Sequence, residues 1–438
     1  MRPRILYPLV AALSLSLPLL AQAQKAALPV PLDKPLNQLT WTATHNAFAY
    51  STPIARNQDN DIRTQLNDGV GALMLDLWEH EGRVYLCHTA CTSLINTRIR
   101  TLAEVLNADI LPHLRNHPNT ILTLFLEDYV SPDKVQAELN AVSGLAGMTF
   151  DPSQWPDSRE WPTVAQLVDK GQRLLIFTGS PSIAGDYNVP GGKATFMFGQ
   201  DGTVENYWSL GDTIFQHDWS CRSRWDYIPL DAKHVDFRGK SWPPLFVMNQ
   251  FHGLSQTLHA RSDNNLSNLW MRVEDQCRAA SGKTPNFIAV DFYHQGDALE
   301  YAATLNHGGI VLWEGKNATE DAVCAIPYTG DPLRFSFKDS NAPIKGCEND
   351  EASSATLLNL KAGSTFTVFD SPNESRQDDW TTVLVKRDIV RVDIGSFEQN
   401  VDNADIRVTH HRYNGLDSKV SFISLATGEA ALAVPPGK

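Results

Sequence analysis

Two histidines and a set of carboxylates, each at or near the end of an apolar segment, are the residues whose types and spacing suit chemistry. His45 closes the run Leu39 to Thr44 and is followed by Asn46, while His88 closes Val84-Tyr85-Leu86-Cys87. Between them Asp76 sits inside Ala72 to Trp78. Farther on, Glu127 and Asp128 end the run Thr120 to Leu126, and Asp291 follows Phe287 to Val290. An imidazole titrates near neutrality, so one histidine can take a proton while the other gives one. An ionised Asp76 inside an apolar run is costly unless a cation or a hydrogen-bond donor satisfies it.

Residues of this kind need a scaffold, and the chain alternates strand-like and helix-like segments from residue 60 onward. Helix signals fall at Asp59 to Asn67, Leu102 to His117, Pro132 to Val142, Pro162 to Lys170, Asn268 to Ala280 and Ala298 to Leu305. Apolar strands fall at Ala72, Thr120, Arg173 to Phe177, Leu245 to Asn249, Asn286 to Tyr293 and Gly309 to Leu312, with an irregular stretch from Gly179 to Trp242. Near-continuous apolar strands separated by helices argue for a parallel sheet covered by helices. The number of units favours a closed barrel, whose active residues gather at the carboxyl ends of its strands. An open doubly wound sheet is the alternative, although no glycine-rich phosphate loop follows the first strand. Past Gly315 the texture becomes short β-rich runs, which predicts a small all-β domain over 325–438 after a barrel over 24–320.

Residues 1–23 read as an export signal: Arg2 and Arg4 precede an apolar centre that ends in Ala21-Gln22-Ala23. The mature chain is then expected to be soluble and secreted or periplasmic. A formal charge of −13 argues against nucleic acid as a partner. The six cysteines suit an oxidising compartment, and sequence order suggests Cys87 with Cys91, Cys221 with Cys277 and Cys324 with Cys347 among the alternatives. A monomer is expected.

Four motifs in this order, Thr44-His45-Asn46, Met74-Leu75-Asp76 leading to Cys87-His88, Phe125 to Tyr129, and Pro285 to Tyr293, resemble the X-domain family of phosphatidylinositol-specific phospholipases C. The likeness covers roughly residues 37 to 315 and is greatest to the secreted, plant-type branch. It implies a distorted TIM (β/α)8-type barrel and hydrolysis of an inositol phospholipid or related phosphodiester. It also implies a base or charge stabiliser at His45, an acid at His88, and a carboxylate at Asp291 that orients His45. By the same resemblance Asn46, Asp76 and Glu127 match calcium ligands, and it selects Glu127 over Asp128, which strand alternation leaves open. Two departures stand out: Met74 replaces a glutamate ligand, and Trp78 replaces the arginine of the metal-free bacterial enzymes. The lysines with which the eukaryotic signalling enzymes grip extra ring phosphates are not found after the strand Arg173 to Phe177, which points away from polyphosphorylated inositides. The loops carrying Trp208, Trp219 and Trp225 are expected to choose the substrate and allow peripheral membrane contact. The C-terminal domain is loosely similar to crystallin-type β-domains.

Blander readings compete with each assignment. His45 and His88 can be structural histidines, Asp76 and Glu127 can be ion-pair partners of Arg63 or Arg100, and Asp291 can cap the next helix. The whole barrel can also be a catalytically weak surface-binding or adhesion protein that relies on its β module. His113 and His117 have metal-like spacing but lie at a helix end, where such residues are ordinary. His410 and His411 read as an exposed strand, and no Gly-Xaa-Ser-Xaa-Gly elbow supports a serine hydrolase.

Overall fold

The computed structural model describes residues 28–51, 56–88, 91, 98–156, 160–213, 216–237, 239–344 and 346–427. The expected signal segment, 1–23, lies outside them. Eight parallel strands are β1 (Trp41–Thr44), β2 (Ala72–His80), β3 (Leu122–Tyr129), β4 (Leu174–Thr178), β5 (Gly192–Phe198), β6 (Thr203–Glu205), β7 (Leu245–Gln250) and β8 (Phe287–Val290). Their spatial order is β5-β4-β3-β2-β1-β8-β7-β6. Each strand therefore neighbours the next in sequence and β1 lies beside β8, as in a (β/α)8 barrel. The ladder does not run between β5 and β6, which are joined by the single turn Gly199–Gly202. The barrel is distorted by that seam.

Local signals account for the covering helices. Asp61 caps Ile62–Asn67 by accepting from the Thr64 amide, and Thr101 with Glu104 forms a capping box at the start of the helical run Leu102–Asn116. A second box, Thr163 with Gln166, opens Val164–Lys170, and Gly171 at φ 77° ends it. These caps satisfy amides that have no partner inside the helix.

Residue parity along the strands decides which side chains enter the barrel. Trp41, Ala43, Ala72, Leu175, Phe177, Leu245, Val247, Phe287 and Ala289 form one buried cluster, with Met74 and Phe125 packed on it. Trp41 stacks on Phe287 at 5.6 Å and Phe125 meets Phe287 edge-on at 5.0 Å. This apolar plug fills one end. Continuing by twos along β1, β2, β3 and β8 reaches His45, Asp76, Glu127 and Asp291 at the carboxyl end.

Two expectations need correction. The stretch read as irregular, Gly179 to Trp242, contains β5 and β6; β5 opens on Gly192 and β6 has three residues, so neither carries a long apolar run. Conversely Gly309–Trp313, expected to finish the barrel, pairs antiparallel with Ala322–Pro327 and Ser354–Leu358. It belongs to a four-stranded sheet that faces a six-stranded antiparallel sheet, with Ile310, Leu312, Phe366, Val383 and Ile423 between them. This second unit packs on the barrel's helices through Trp313, edge-on to Trp270 at 5.2 Å. All three disulfides follow sequence order: Cys87–Cys91, Cys221–Cys277 and Cys324–Cys347.

Candidate active site

The carboxyl ends of β1 and β8, with the strand Arg83–Leu86 that returns antiparallel along β2, bring both histidines to one network. Nδ1 of His45 lies 2.9 Å from Oδ1 of Asp291, and Asp291 is almost fully buried. The buried Asn57 donates through Nδ2 to the same Asp291 oxygen at 2.9 Å, while its Oδ1 lies 3.0 Å from Nε2 of His88. One carboxylate thus connects to both imidazoles, directly to His45 and through an amide to His88. Because Nδ2 of Asn57 faces a carboxylate, its Oδ1 faces His88 as an acceptor, and that arrangement requires a proton on Nε2 of His88.

Supports around His45 hold it from several sides. Phe251 lies flat on its ring, 3.7 Å between centroids and 6° between planes. The fully buried Gln58 donates to the carbonyls of His45 and Val290 and accepts from the Tyr293 amide. Asn57, Gln58 and Phe251 were not anticipated. The only signal for the first two is the polar run Arg56 to Asn60 that follows the His45 strand.

Asp76 and Glu127 are Cα partners on adjacent strands. Burial, and secondarily the nearby Glu127, push the Asp76 carboxyl up to about 7. Among the described residues no Lys or Arg ion pair reaches either one, and the two candidate partners, Arg63 and Arg100, both bind Asp109 instead. Glu127 accepts from the Tyr129 hydroxyl, and Tyr129 stacks on Trp78 at 4.2 Å. The buried Asn46 adopts φ 46°, and the next amide, Ala47, bonds the Met74 carbonyl on β2. Two carboxylates on paired strand positions, without a Lys or Arg partner among the described residues and beside an amide residue, form an oxygen-rich set that fits a hard cation. Nδ1 of His88 lies 3.8 Å from Asp76.

The remaining sequence candidates fall elsewhere. Asp128 is engaged by the Thr178 hydroxyl and the Ser180 amide. Asp291 does not cap the helix Ala298–His307, whose N-cap is Asp297. His113 and His117 stack at 4.2 Å, and burial pushes His113 down to about 4. His411 is stacked on Trp380 at 3.6 Å and His410 bonds the Thr381 hydroxyl. Across the barrel mouth, Glu205 at the end of β6 accepts from Arg224 and from Asn249, both at 2.7 Å.

The family model PI-PLC X 1 matches residues 32–189. Residues 32–189 are thus similar to the PI-PLC X domain. A PI-PLC X domain-containing protein of Arabidopsis thaliana is 31% identical over 274 residues, 60% of this chain and 60% of that protein. An uncharacterized secreted protein of Arthroderma benhamiae is 24% identical over 64% of this chain and 62% of its own length. The chain thus spans about three fifths of each of these two relatives. Among solved structures, the phosphatidylinositol-specific phospholipase C of Listeria monocytogenes aligns with a TM-score of 0.39 and 15% identity, over 60% of this chain and 91% of that one.

Proposed function

We propose that the chain is a secreted phosphoric diester hydrolase of the phosphatidylinositol-specific phospholipase C type, acting on an inositol phospholipid or a related diester. The observation that carries this reading is the single network Asp291, His45, Asn57 and His88 at the barrel mouth. Asp291 accepts the Nδ1 proton of His45 and leaves the Nε2 lone pair to take a proton from the ring hydroxyl beside the phosphate. That oxygen attacks phosphorus, and because it belongs to the substrate itself the attack is intramolecular. A cyclic phosphodiester forms, the bond to the lipid oxygen breaks, and His88 returns a proton to the departing alcohol. Asn57 keeps Nε2 of His88 protonated, so Nδ1 is the nitrogen that gains and gives up the second proton.

Asn46, Asp76 and Glu127 would hold a calcium ion. When bound, it would offset charge on a phosphoryl oxygen. Export is supported by three disulfides, and no helix among the described residues is long and apolar enough to cross a membrane. Exposed Trp208, Tyr227, Leu254 and Leu258 lie in the segments that precede and follow β7 and suit contact with a lipid surface.

The test is release of water-soluble inositol phosphate from phosphatidylinositol vesicles, with calcium and with chelator, beside His45→Ala and His88→Ala. Calcium-dependent product that disappears in both variants is expected. No product from the unmodified chain in either condition overturns the reading and favours the surface-binding alternative.

A further inference from the structure

Next to the histidine network lies a second cluster that the proposed reaction does not use. His252 follows β7 and Phe251, His259 lies on the helix Thr257–Asp263, and His217 comes from the segment before β7. One ring nitrogen from each lies within 4.8 Å of the others. A cavity lined by His252, His259 and Asp263 also touches Phe251 and Asp291.

The decisive residue is His252. It is buried, its Nδ1 lies 3.3 Å from the Gly211 carbonyl, and its Nε2 faces the Asp263 carboxylate. Bonding to a carbonyl requires the proton on Nδ1, which in the neutral ring leaves Nε2 as the nitrogen available to a metal ion. A histidine that donates one nitrogen to a backbone carbonyl and offers the other is prepared as a metal ligand. Asp263, also buried, stands 3.1 Å from that Nε2 and accepts from His217 Nε2 at 2.9 Å, while buried Arg272 shares its field. The carboxylate therefore serves to orient imidazoles and to balance added charge.

We infer that His217, His252 and His259 form a binding site for a borderline transition-metal cation, zinc by chemical class, with Asp263 as the orienting carboxylate. Three imidazoles and an open fourth position match the donor preference of zinc and not that of calcium. Nitrogens about 2.1 Å from a tetrahedral ion stand roughly 3.4 Å apart, so the set closes by about an ångström on binding. The half-exposed His259 has the rotamer freedom for that closure. The ion would tie the His217 segment to the loop after β7, next in sequence to Phe251, the ring that stacks on His45.

The experiment uses the full untagged chain, stripped with chelator and held in saturating calcium, titrated with zinc by calorimetry and with cobalt(II) by visible absorption. One ion per chain with a four- or five-coordinate cobalt spectrum is expected. His252→Ala and His259→Ala abolish it, Asp263→Asn weakens it by about 10- to 100-fold, and His45→Ala and His80→Ala leave it unchanged. His259 is half-exposed, so its variant keeps the fold, as circular dichroism will show. Absence of binding, or binding that survives both His252→Ala and His259→Ala, overturns the site.

Discussion

Asn57→Ala separates a catalytic network from two histidines that happen to be near each other. The substitution removes the Nδ2 bond to Asp291 and the Oδ1 acceptor of His88 and leaves the backbone bonds of residue 57 to Ala49 and Phe292 in place. A hydrogen bond to a charged group contributes about 1.5–3 kcal/mol, which at about 1.4 kcal/mol per decade is roughly a 10- to 150-fold loss of kcat/KM. With its acceptor gone, protonated His88 is less favoured, so the limb of the pH profile set by the acid moves to lower pH. Asn57→Asp puts a negative charge beside both imidazoles and shifts the profile upward instead. Initial rates on phosphatidylinositol vesicles across pH, with a thermal melt for each variant, measure both effects. A kcat/KM within about threefold of the unmodified chain and an unmoved pH profile in both variants refute the network.

Three further outcomes follow from the geometry. Phe251→Leu keeps apolar bulk but loses the face-to-face stack on His45; a stack of this kind contributes about 0.5–1.5 kcal/mol, so kcat/KM should fall by roughly 2- to 10-fold with the calcium affinity unchanged. Asp76→Asn and Glu127→Gln each remove a carboxylate from the oxygen set, and calorimetric titration should show calcium binding lost while both proteins stay folded. Burial, then Glu300, push the Asp297 carboxyl up to about 6. A carboxyl raised on folding destabilises the folded state once pH exceeds its unfolded value, with the full cost present above the folded one. Asp297→Asn, which can still accept from the Leu266 amide, should therefore raise stability by about 2 kcal/mol at pH 8, after discounting for partial exposure, and leave it unchanged at pH 3, as read from urea denaturation.

Much of the site was legible because strand parity is a sequence property. Trp41 and Ala43 lead by twos to His45, and Ala72 and Met74 lead to Asp76, so polar residues on an inward parity announce themselves against an apolar plug. The same parity favours Glu127 over Asp128 once Phe125 is seen to face inward. Asn57 could not be read this way. It lies in a loop, without period, and its importance comes from contacts to His88 and Asp291, 31 and 234 residues away. The barrel's weak side was hidden for a related reason: β6 has three residues, too few to show alternation. Gly309–Trp313 misled because a fully buried apolar run looks alike in a parallel barrel and in a β-sandwich. Only its antiparallel partners distinguish them.

The central claim is that both histidines serve an intramolecular displacement, and phosphorus NMR of the reaction as it proceeds tests that most directly. A five-membered cyclic phosphodiester resonates apart from an acyclic monoester. The account predicts that the cyclic inositol phosphate appears first, at a rate that collapses in His45→Ala and in His88→Ala. Direct appearance of the monoester or of phosphatidic acid, or cyclic product formed at full rate by either variant, would contradict it.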